Sequence, residues 1–405
     1  MSFEQGLSGL NAASKSLEAI GNNVANANTV GFKSSEALFA DVYAASLTGA
    51  GTGQIGIGTK VSQIQQQFTQ GNISASNNPM DIAINGGGFF RMSKGGTITY
   101  GRNGQFQLDK DGFITNANGA HLTGYVANAN GALSTGAPAD IVINTLDLPP
   151  GASTKVDASL NLDSTQPVTV WDGTMNPGTY NNASSVSVYD SFGVSHVMQT
   201  FFVKTGPATW DVYAANDGAL LATPKLGTLN FKTDGSIDTA TTTLPFSASL
   251  DLLSGAATPL VLNVDFTGST QYGSGFSVNT LTQDGYTSGR LSGFSSSADG
   301  TITGRYTNGK SNTLAQIVLA SFPDPNGLTP LGDNQWAESA TSGQALVGAP
   351  NSGSLGVLQS SAVEDSNVDL TAELVNMITA QRVYQANAQT IKTEDQVLQT
   401  LVNLR

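Results

Sequence analysis

The side chains best suited to chemistry in this chain are scattered and form no recognisable catalytic or metal-binding pattern. The chain has two histidines, His121 and His196, and no cysteine. Both fall in predicted strands far apart along the sequence, so they indicate neither a zinc site nor a nucleophile with its base. We interpret them as histidines whose partners are ordinary side chains of the fold.

Acidic pairs are the second source of chemistry, because two carboxylates can divide acid and base roles. Asp109 and Asp111 lie in a predicted turn, and Glu364 and Asp365 lie just before a predicted helix. Asp and Glu favour both places for hairpin and capping reasons. The sequence therefore predicts no enzyme activity, no catalytic, cofactor-binding or metal residues, and no cofactor. Carboxylates that converge only in the folded chain remain an open alternative.

A glycine motif is the third candidate site. Gly51, Gly53 and Gly56 have the GxGxxG spacing of a dinucleotide-binding loop. That reading also needs a preceding strand, a following helix and an acidic residue about twenty positions on. Because all three are missing from the pattern, we interpret the stretch as a flexible loop.

Composition narrows the possible partners and compartments. Charged residues make up 12% of the 405 residues and the formal net charge is -13, with no cluster of Lys or Arg, so a nucleic acid would be repelled. The first lysine is Lys15, and the N-terminus lacks a continuous apolar stretch. We therefore expect a chain that is either cytosolic or exported without a cleaved signal peptide, and no membrane insertion.

The C-terminal segment is the most regular element of the sequence. From Val357 to the end it has neither Gly nor Pro, which predicts a long helix with Ser366 as N-cap and Asp369 in its first turn. Its apolar residues recur at seven-residue intervals, the coiled-coil period. The main row is Leu370, Met377, Tyr384, Ile391 and Leu398, and the second is Leu374, Ala388 and Val402, interrupted by Gln381 and Asp395.

The N-terminal segment predicts a partner helix over residues 3–27. Phe3, Leu10, Leu17 and Val24 recur every seven residues, flanked by Leu7, Ala13 and Ile20. We expect this row to cover the apolar row of the C-terminal helix. Gly6, Gly9 and Gly21 each weaken a helix by about 1 kcal/mol, so the helix needs that partner.

Between the termini, short alternating runs separated by Asn-Gly and Asp-Gly pairs predict β domains. Turns are expected at Asp111-Gly112 and Asn118-Gly119, and Pro149-Pro150-Gly151 marks a boundary. A second set of strands follows to about residue 284, which we interpret as a sandwich or barrel.

Three stretches resemble one known family. NNVANANTVGFK lies at the N-terminal side, QGNISASNNPMDIAINGGGFF starts at Gln70, and SNVDLTAELVNMITAQRVYQANAQTI starts at Ser366. Together they resemble the signatures of bacterial flagellar rod and hook proteins, and the large middle region favours the hook branch. The signature residues in this chain are Asn22, Asn23, Asn26, Asn28, Thr29, Gly31, Phe32 and Lys33.

The resemblance implies an α+β, multidomain fold. Long N- and C-terminal helices would form an α-helical coiled-coil core domain (residues 1–28 and 365–405), joined through a connecting segment (29–70) to two mainly β domains. Each β domain would be an antiparallel β-barrel or sandwich, with the outer one (149–284) inserted in the inner one (71–148 and 285–364).

The resemblance also implies a role. The chain would be a structural subunit that self-assembles into a flexible curved tube, a universal joint that passes torque from rod to filament. Implied partners are further copies of itself, the distal rod, hook cap and hook-filament junction proteins, and the flagellar type III export apparatus. An export motif of Phe3 and Leu7 is implied; plain packing is the alternative for both residues.

Self-assembly is predicted to rest on the terminal helices. The residues expected to carry it are Phe3, Leu7, Leu10, Leu17, Ile20, Val24, Leu370, Leu374, Met377, Tyr384, Ala388, Ile391, Leu398 and Val402. Two alternatives stay open: a distal rod subunit, and an exported β-rich carbohydrate-binding protein or hydrolase.

Overall fold

The computed structural model describes residues 2–42, 56–128, 131–134, 136–252 and 255–403. It divides into two compact units, the first comprising Met1–Asn144, Gly293–Gly304 and Asn312–Arg405, and the second Thr145–Ser292 and Arg305–Ser311. Both terminal helices belong to the first unit. The finer predicted division into a separate helical domain, a linker and two β domains stays a prediction.

Two long helices bracket the chain. Helix α1 is Ser2–Ala25 and helix α2 is Leu370–Asn403. The cap of α2 is Asp369 rather than the predicted Ser366, since its carboxylate accepts hydrogen bonds from Thr371 N at 2.9 Å and Ala372 N at 3.1 Å. The preceding residues stay extended because Asn367 bonds elsewhere, accepting from Ser34 N at 2.8 Å and donating to Gln67 O at 2.7 Å.

A two-stranded hairpin lies in the predicted connecting segment, residues 29–70. Its strands are β1, Ser35–Val42, and β2, Gly58–Gln66, which pair antiparallel. The burial of β1 only partly alternates, so its pattern is weak and the pairing was not predicted. Gly51 and Gly53 of the glycine motif lie outside the described residues.

The first unit continues through short strands with tight turns. They are β3 Ile73–Ala75, β4 Ile82–Asn85, β5 Phe89–Lys94, β6 Thr97–Gly101, β7 Phe106–Leu108, β8 Ile114–Asn116, β9 His121–Val126 and β10 Ala139–Asp140. The predicted turn glycines are confirmed at Gly112 and Gly119, whose φ angles of 85° and 72° lie in the left-handed region.

The described residues of the second unit form nine strands. They are β11 Lys155–Asp163, β12 Asn182–Tyr189, β13 Ser195–Gly206, β14 Thr209–Asn216, β15 Ala219–Asn230, β16 Phe246–Leu250, β17 Leu260–Asp265, β18 Thr270–Tyr272 and β19 Ser277–Gln283. Strands β12 to β15 form one sheet and the other five strands form a second sheet. Both sheets contribute to one core, in which Phe202, Trp210 and Leu262 have no exposed surface.

The two sheets packed on one core match the predicted sandwich, whereas the expectation of purely antiparallel strands is wrong. Strand β11 pairs parallel with β17 and β18 and antiparallel with β19, so the five-stranded sheet is mixed. No closed barrel forms among the strands of the described ranges. The chain enters and leaves the unit side by side, because Leu148 N donates to Gly289 O at 2.7 Å and Gly151 N to Tyr286 O at 3.0 Å.

The chain then returns to the first unit. The remaining strands are β20 Leu291–Ser296, β21 Thr301–Tyr306, β22 Ser311–Ile317, β23 Leu319–Ser321, β24 Thr329–Gly332, β25 Gln335–Ala337, β26 Leu346–Gly348, β27 Val357–Ser360 and β28 Ala362–Glu364, with a short 3-10 helix at Pro325–Gly327. The main path of the large sheet has the order β20-β21-β22-β9-β5-β6-β25-β24. Near the C-terminal helix, β27 pairs with β4 and β28 with β3.

Candidate assembly surface at the paired termini

Helices α1 and α2 pack against each other in opposite directions. Near the start of α1, a Cβ atom built on Gly6 would lie 3.0 Å from Ile391 Cγ1, and one on Gly9 2.8 Å from Asn387 Oδ1. Near its end, Asn23 Nδ2 donates to Glu373 Oε1 at 3.1 Å. The two glycines therefore let the helix backbones approach closely, which offsets the propensity that glycine loses in a helix.

The contact face of α1 differs from the predicted one. Its most buried residues include Gly6, Ala13 and Ile20, which are seven apart, and Ala13 and Ile20 are 5% and 9% exposed. Phe3 and Leu7 are each 45% exposed. The most buried face is thus offset from the row that starts at Phe3 toward the flanking Ala13 and Ile20, and the expectation that this row covers α2 stays a prediction.

The remaining predicted residues of α1 lie beside this contact face. Leu10, Leu17 and Val24 are half-buried. The signature residues Asn26 and Thr29, in the turn that follows the helix, are half-buried too. A role of Phe3 and Leu7 in export, or of any of these side chains in self-assembly, stays a prediction.

On α2 the contact face combines apolar, small and polar residues. It includes Met377, Ala380, Asn387 and Ile391, which are buried or half-buried. Met377 and Ile391 belong to the predicted main row, whereas Ala380 and Asn387 belong to neither row. The sequence signal that was missed is the spacing of small residues on both helices, Gly6, Gly9 and Ala13 against Ala380.

The other predicted residues of α2 are largely uncovered within the chain. Ala388 is half-buried, and the exposed ones are Leu370, Leu374, Tyr384, Leu398 and Val402. Gln381 is exposed, and Asp395 Oδ2 accepts from Gln399 Nε2 at 2.9 Å on the same helix. The use of Gln381 and Asp395 to set register between copies stays a prediction.

Helix α2 extends beyond its partner. It has 34 residues and α1 has 24, so their lengths are about 51 and 36 Å at about 1.5 Å per residue. Because Gly6 faces Ile391, the last turns of α2 have no α1 residue opposite them. Leu398 is 55% and Val402 73% exposed for this reason.

A cavity of about 820 Å³ lies between the two helices and the β1–β2 hairpin. Its lining from α1 includes Ala12 and Ser16, and its lining from α2 includes Glu373 and Val383. Glu373 Oε2 is buried and has no hydrogen-bond partner among the described residues. The cavity therefore combines mostly small side chains with one carboxylate oxygen that lacks a donor.

The signature residue Asn23 fixes α1 to the hairpin. Its side chain accepts a hydrogen bond from Ser35 N at 2.8 Å and donates to Ser35 O at 2.9 Å, as a neighbouring strand would. Asn23 is 2% exposed. Asn26 Nδ2 donates to Asn22 O at 2.9 Å in the last turn, whereas Asn22 and Asn28 are exposed.

Gly31 and Phe32 lead from this turn into the β region. Gly31 has a φ of 71°, and a Cβ atom there would lie 2.6 Å from Asn103 N, so both conformation and space require glycine. Gly31 N donates to Glu364 O at 2.7 Å. Phe32 is half-buried.

A buried charge cluster connects the segments next to the two terminal helices with the strands of the first unit. Glu364 lies between two cations, with Lys33 Nζ 2.6 Å from Oε1 and Arg102 Nη1 3.1 Å from Oε2. Lys33 also donates to Thr69 O at 2.7 Å, and Gly71 N donates to Glu364 Oε1 at 3.0 Å. We call Lys33, Arg102 and Glu364 the junction.

Burial has a clear electrostatic effect at the junction. Desolvation lowers the pKa of Lys33, although the carboxylate of Glu364 opposes the shift, and desolvation likewise lowers the pKa of Arg102. Pairing matters here because a buried ion without a counter-ion is costly. Sequence reasoning missed the junction, since Lys33, Arg102 and Glu364 are far apart along the chain.

The histidines have ordinary partners. His121 Nδ1 lies 2.9 Å from Asp140 Oδ2 and its ring stacks on Phe113. His196 Nδ1 lies 2.7 Å from Asp217 Oδ2 and its Nε2 3.4 Å from Asp190 Oδ2. Within the described ranges, no group of three or more His, Asp or Glu side chains could hold a metal ion. No helix there is long and apolar enough to cross a membrane.

Four family models together match more than two thirds of the chain. They are the "Flagella basal body rod protein" over residues 3–33, the "Flagellar hook protein FlgE/F/G D1 domain" over 83–165, the "Flagellar basal body protein FlaE D2 domain" over 159–286 and the "Flagellar basal body rod FlgEFG protein C-terminal" over 359–404. The first and last cover most of α1 and α2, and the D2 model covers most of the second unit.

Full-length relatives agree with these models. The chain is 41% identical to the flagellar hook protein FlgE of Escherichia coli K12 over 100% of both chains. It is 41% identical to that of Salmonella typhimurium over 100% of both, and 32% identical to that of Borreliella burgdorferi over 100% of this chain and 99% of the relative.

One solved structure supports the fold. The crystal structure of flagellar hook protein FlgE2 from Helicobacter pylori matches 72% of this chain and 99% of its own, with a TM-score of 0.53 and 14% identity.

Proposed function

The chain belongs to the flagellar hook protein family, and from this premise we propose how its helices build the hook. It is a structural subunit of the bacterial flagellar hook, a component that forms homopolymers. We propose that α1 and α2 of successive copies line the inner wall of a curved tube, with the β units outside. The helical segments 1–28 and 365–405 would act as one layer.

One observation carries this proposal, namely the uncovered apolar surface of α2. Its exposed large apolar residues are Leu370, Leu374, Val375, Ile378, Val383, Tyr384, Val397, Leu398 and Val402. Burying such surface contributes about 25 cal/mol per Å², and a large amount of exposed apolar surface is typical of an interaction site. Neighbouring copies would supply the missing cover.

In this proposal, the strands outside the helical layer make the contacts that allow the tube to bend. Only 12% of residues are charged, so lateral contacts would consist mainly of neutral, water-bridged hydrogen bonds. Such contacts can shift in small steps while the helical layer stays packed, and the tube could then bend as a universal joint while it transmits torque from the rod to the filament.

Further elements of the role are also proposals. We propose that the protein has no catalytic activity, that the flagellar type III export apparatus delivers it, and that the distal rod, hook cap and hook-filament junction proteins contact it. The alternatives of a distal rod subunit and of a carbohydrate-binding protein or hydrolase are not favoured, because full-length relatives are hook proteins.

Assembly of purified protein tests the proposal. We expect the double variant Leu398→Asp and Val402→Asp to stay folded, because both side chains are exposed, yet to form no tubes under electron microscopy. The matched control is Val170→Asp, which adds a charge at a residue that is 81% exposed in the second unit and should assemble normally. Normal tubes from the double variant would contradict a helical inner wall.

A further inference from the structure

The exposed ridge of α2 and the cavity beside α2 lie on different sides of the same helix. The ridge consists of Leu374, Ile378 and Arg382, which are four apart and exposed. The cavity is lined on α2 by Ala380 and Glu373 among others. At about 100° per residue, Ile378 and Ala380 project about 160° apart, so the ridge and the cavity face nearly opposite directions.

The ridge is chemically suited to the cavity. Leu374 and Ile378 are 45% and 51% exposed, and the cavity wall on α1 consists of small side chains such as Ala12 and Ser16. Rows of side chains four apart are the ridges that enter grooves between helices. A cavity of about 820 Å³ would otherwise hold on the order of 25 waters at about 30 Å³ each.

Charge complementarity fixes the orientation. Glu373 Oε2 is buried at the cavity and has no donor in the described part of the chain. Arg382 is exposed at the end of the ridge and has no hydrogen bond or ion pair with any described residue. Glu373 lines the cavity, and a guanidinium that entered it would form a charge-assisted pair once the carboxylate turns to bring the buried Oε2 toward it.

We propose that the ridge of one copy inserts into the cavity of the next copy, with Arg382 paired to Glu373 across the contact. The proposal rests on the proposed function, since it specifies a contact of the same helical wall. Because ridge and cavity are different surfaces on nearly opposite sides of α2, the contact is head-to-tail. Contacts of this kind generate rings or, where the rotation does not close, open helical assemblies rather than closed dimers.

A charge-swap series tests the pairing. Arg382→Glu should raise the critical concentration for assembly by about tenfold or more, as close charge pairs at interfaces do. Glu373→Arg should act similarly, and the double variant should return to within about threefold of the unmodified protein. Circular dichroism of each monomer checks that the helices remain. If the double variant assembles no better than either single variant, the pairing is wrong.

Cysteine cross-linking gives an independent test, because the chain has no cysteine of its own. The pair Ile378→Cys and Ser16→Cys should give a ladder of covalent oligomers when assembled tubes are oxidised, since disulfides need Cα atoms within about 7 Å. The control pair Ile378→Cys and Asp172→Cys should give none. Tubes without the ladder would overturn this contact and leave the proposed function intact, whereas failure of unmodified protein to form tubes would overturn the proposed function itself.

Discussion

The junction and the contact between α1 and α2 belong to the same unit but are stabilised in different ways. At the junction, Glu364 is held by two cations and a backbone amide, and its side chain has no exposed surface. Between the helices, small residues meet beside a cavity, and many large apolar side chains stay exposed. The difference indicates that the carboxylate of Glu364 finds its counter-ions within one chain, although Arg102 Nε is buried without a hydrogen-bond partner among the described residues. The helices, in contrast, leave apolar surface exposed, which we propose other copies cover.

The largest expected effect is at the junction. Glu364→Gln leaves Lys33 and Arg102 buried without their counter-ion, so we expect a loss of about 3–5 kcal/mol in the free energy of unfolding. Urea denaturation followed by circular dichroism measures this loss. The matched control, Glu4→Gln at an exposed residue of α1, should change stability by less than about 0.5 kcal/mol. If Glu364→Gln and Glu4→Gln had equal free energies of unfolding, the junction would stabilise the fold no more than the exposed surface of α1 does.

A smaller effect is expected where the helices meet. Gly9→Ala should force the Asn387 side chain to move, whereas Gly21→Ala adds a methyl group that has no atom within 4 Å apart from its chain neighbours and the nearby backbone of α1. We expect Gly21→Ala to stabilise α1 by up to about 1 kcal/mol and Gly9→Ala to gain less or to lose stability. Thermal unfolding followed at 222 nm compares them. If both variants gain equally, the close approach at Gly9 is not a constraint.

The smallest effect is expected at His196 in the second unit, which lies between the carboxylates of Asp190 and Asp217. The charges are reversed relative to the junction, where one carboxylate lies between two cations. Burial opposes the charged ring, but the hydrogen bonds to Asp217 and Asp190 outweigh it and raise the pKa of His196. Burial opposes ionisation of Asp217 too, yet its bonds from Val197 N and His196 lower its pKa.

The sign of the pH dependence follows from these shifts. A raised histidine pKa stabilises the folded unit fully below about pH 6.5, the value in the unfolded chain, and the gain is lost as pH rises through the folded value. We therefore expect the urea midpoint of the second unit, followed by tryptophan fluorescence, to fall from pH 6 to pH 9. His196→Gln should flatten this change, and an unchanged slope would mean that His196 does not titrate in this range.

The sequence predicted elements that depend on local pattern. The absence of Gly and Pro predicted α2, and Asp-Gly and Asn-Gly pairs predicted the turns at Gly112 and Gly119. It placed the cap of α2 at Ser366 instead of Asp369, because both residue types favour capping and only the bonds of Asn367 keep the intervening residues extended.

Features that depend on distant residues were not predictable. The parallel pairing of β11 with β17 and the Lys33–Glu364 ion pair join segments that share no local signal. The glycines of α1 were interpreted as a cost to the helix, whereas Gly6 and Gly9 allow close contact with α2. The self-assembly residues were chosen by period alone, and a period does not specify which neighbour covers each face.

The bonds from Leu148 to Gly289 and from Gly151 to Tyr286 bring the entry and exit of the second unit side by side. A segment whose ends are adjacent can be lengthened, shortened or replaced by a turn without pulling on the residues that flank it. The second unit is in this sense a cassette: evolution can change its size while the spacing of its two attachment points stays the same.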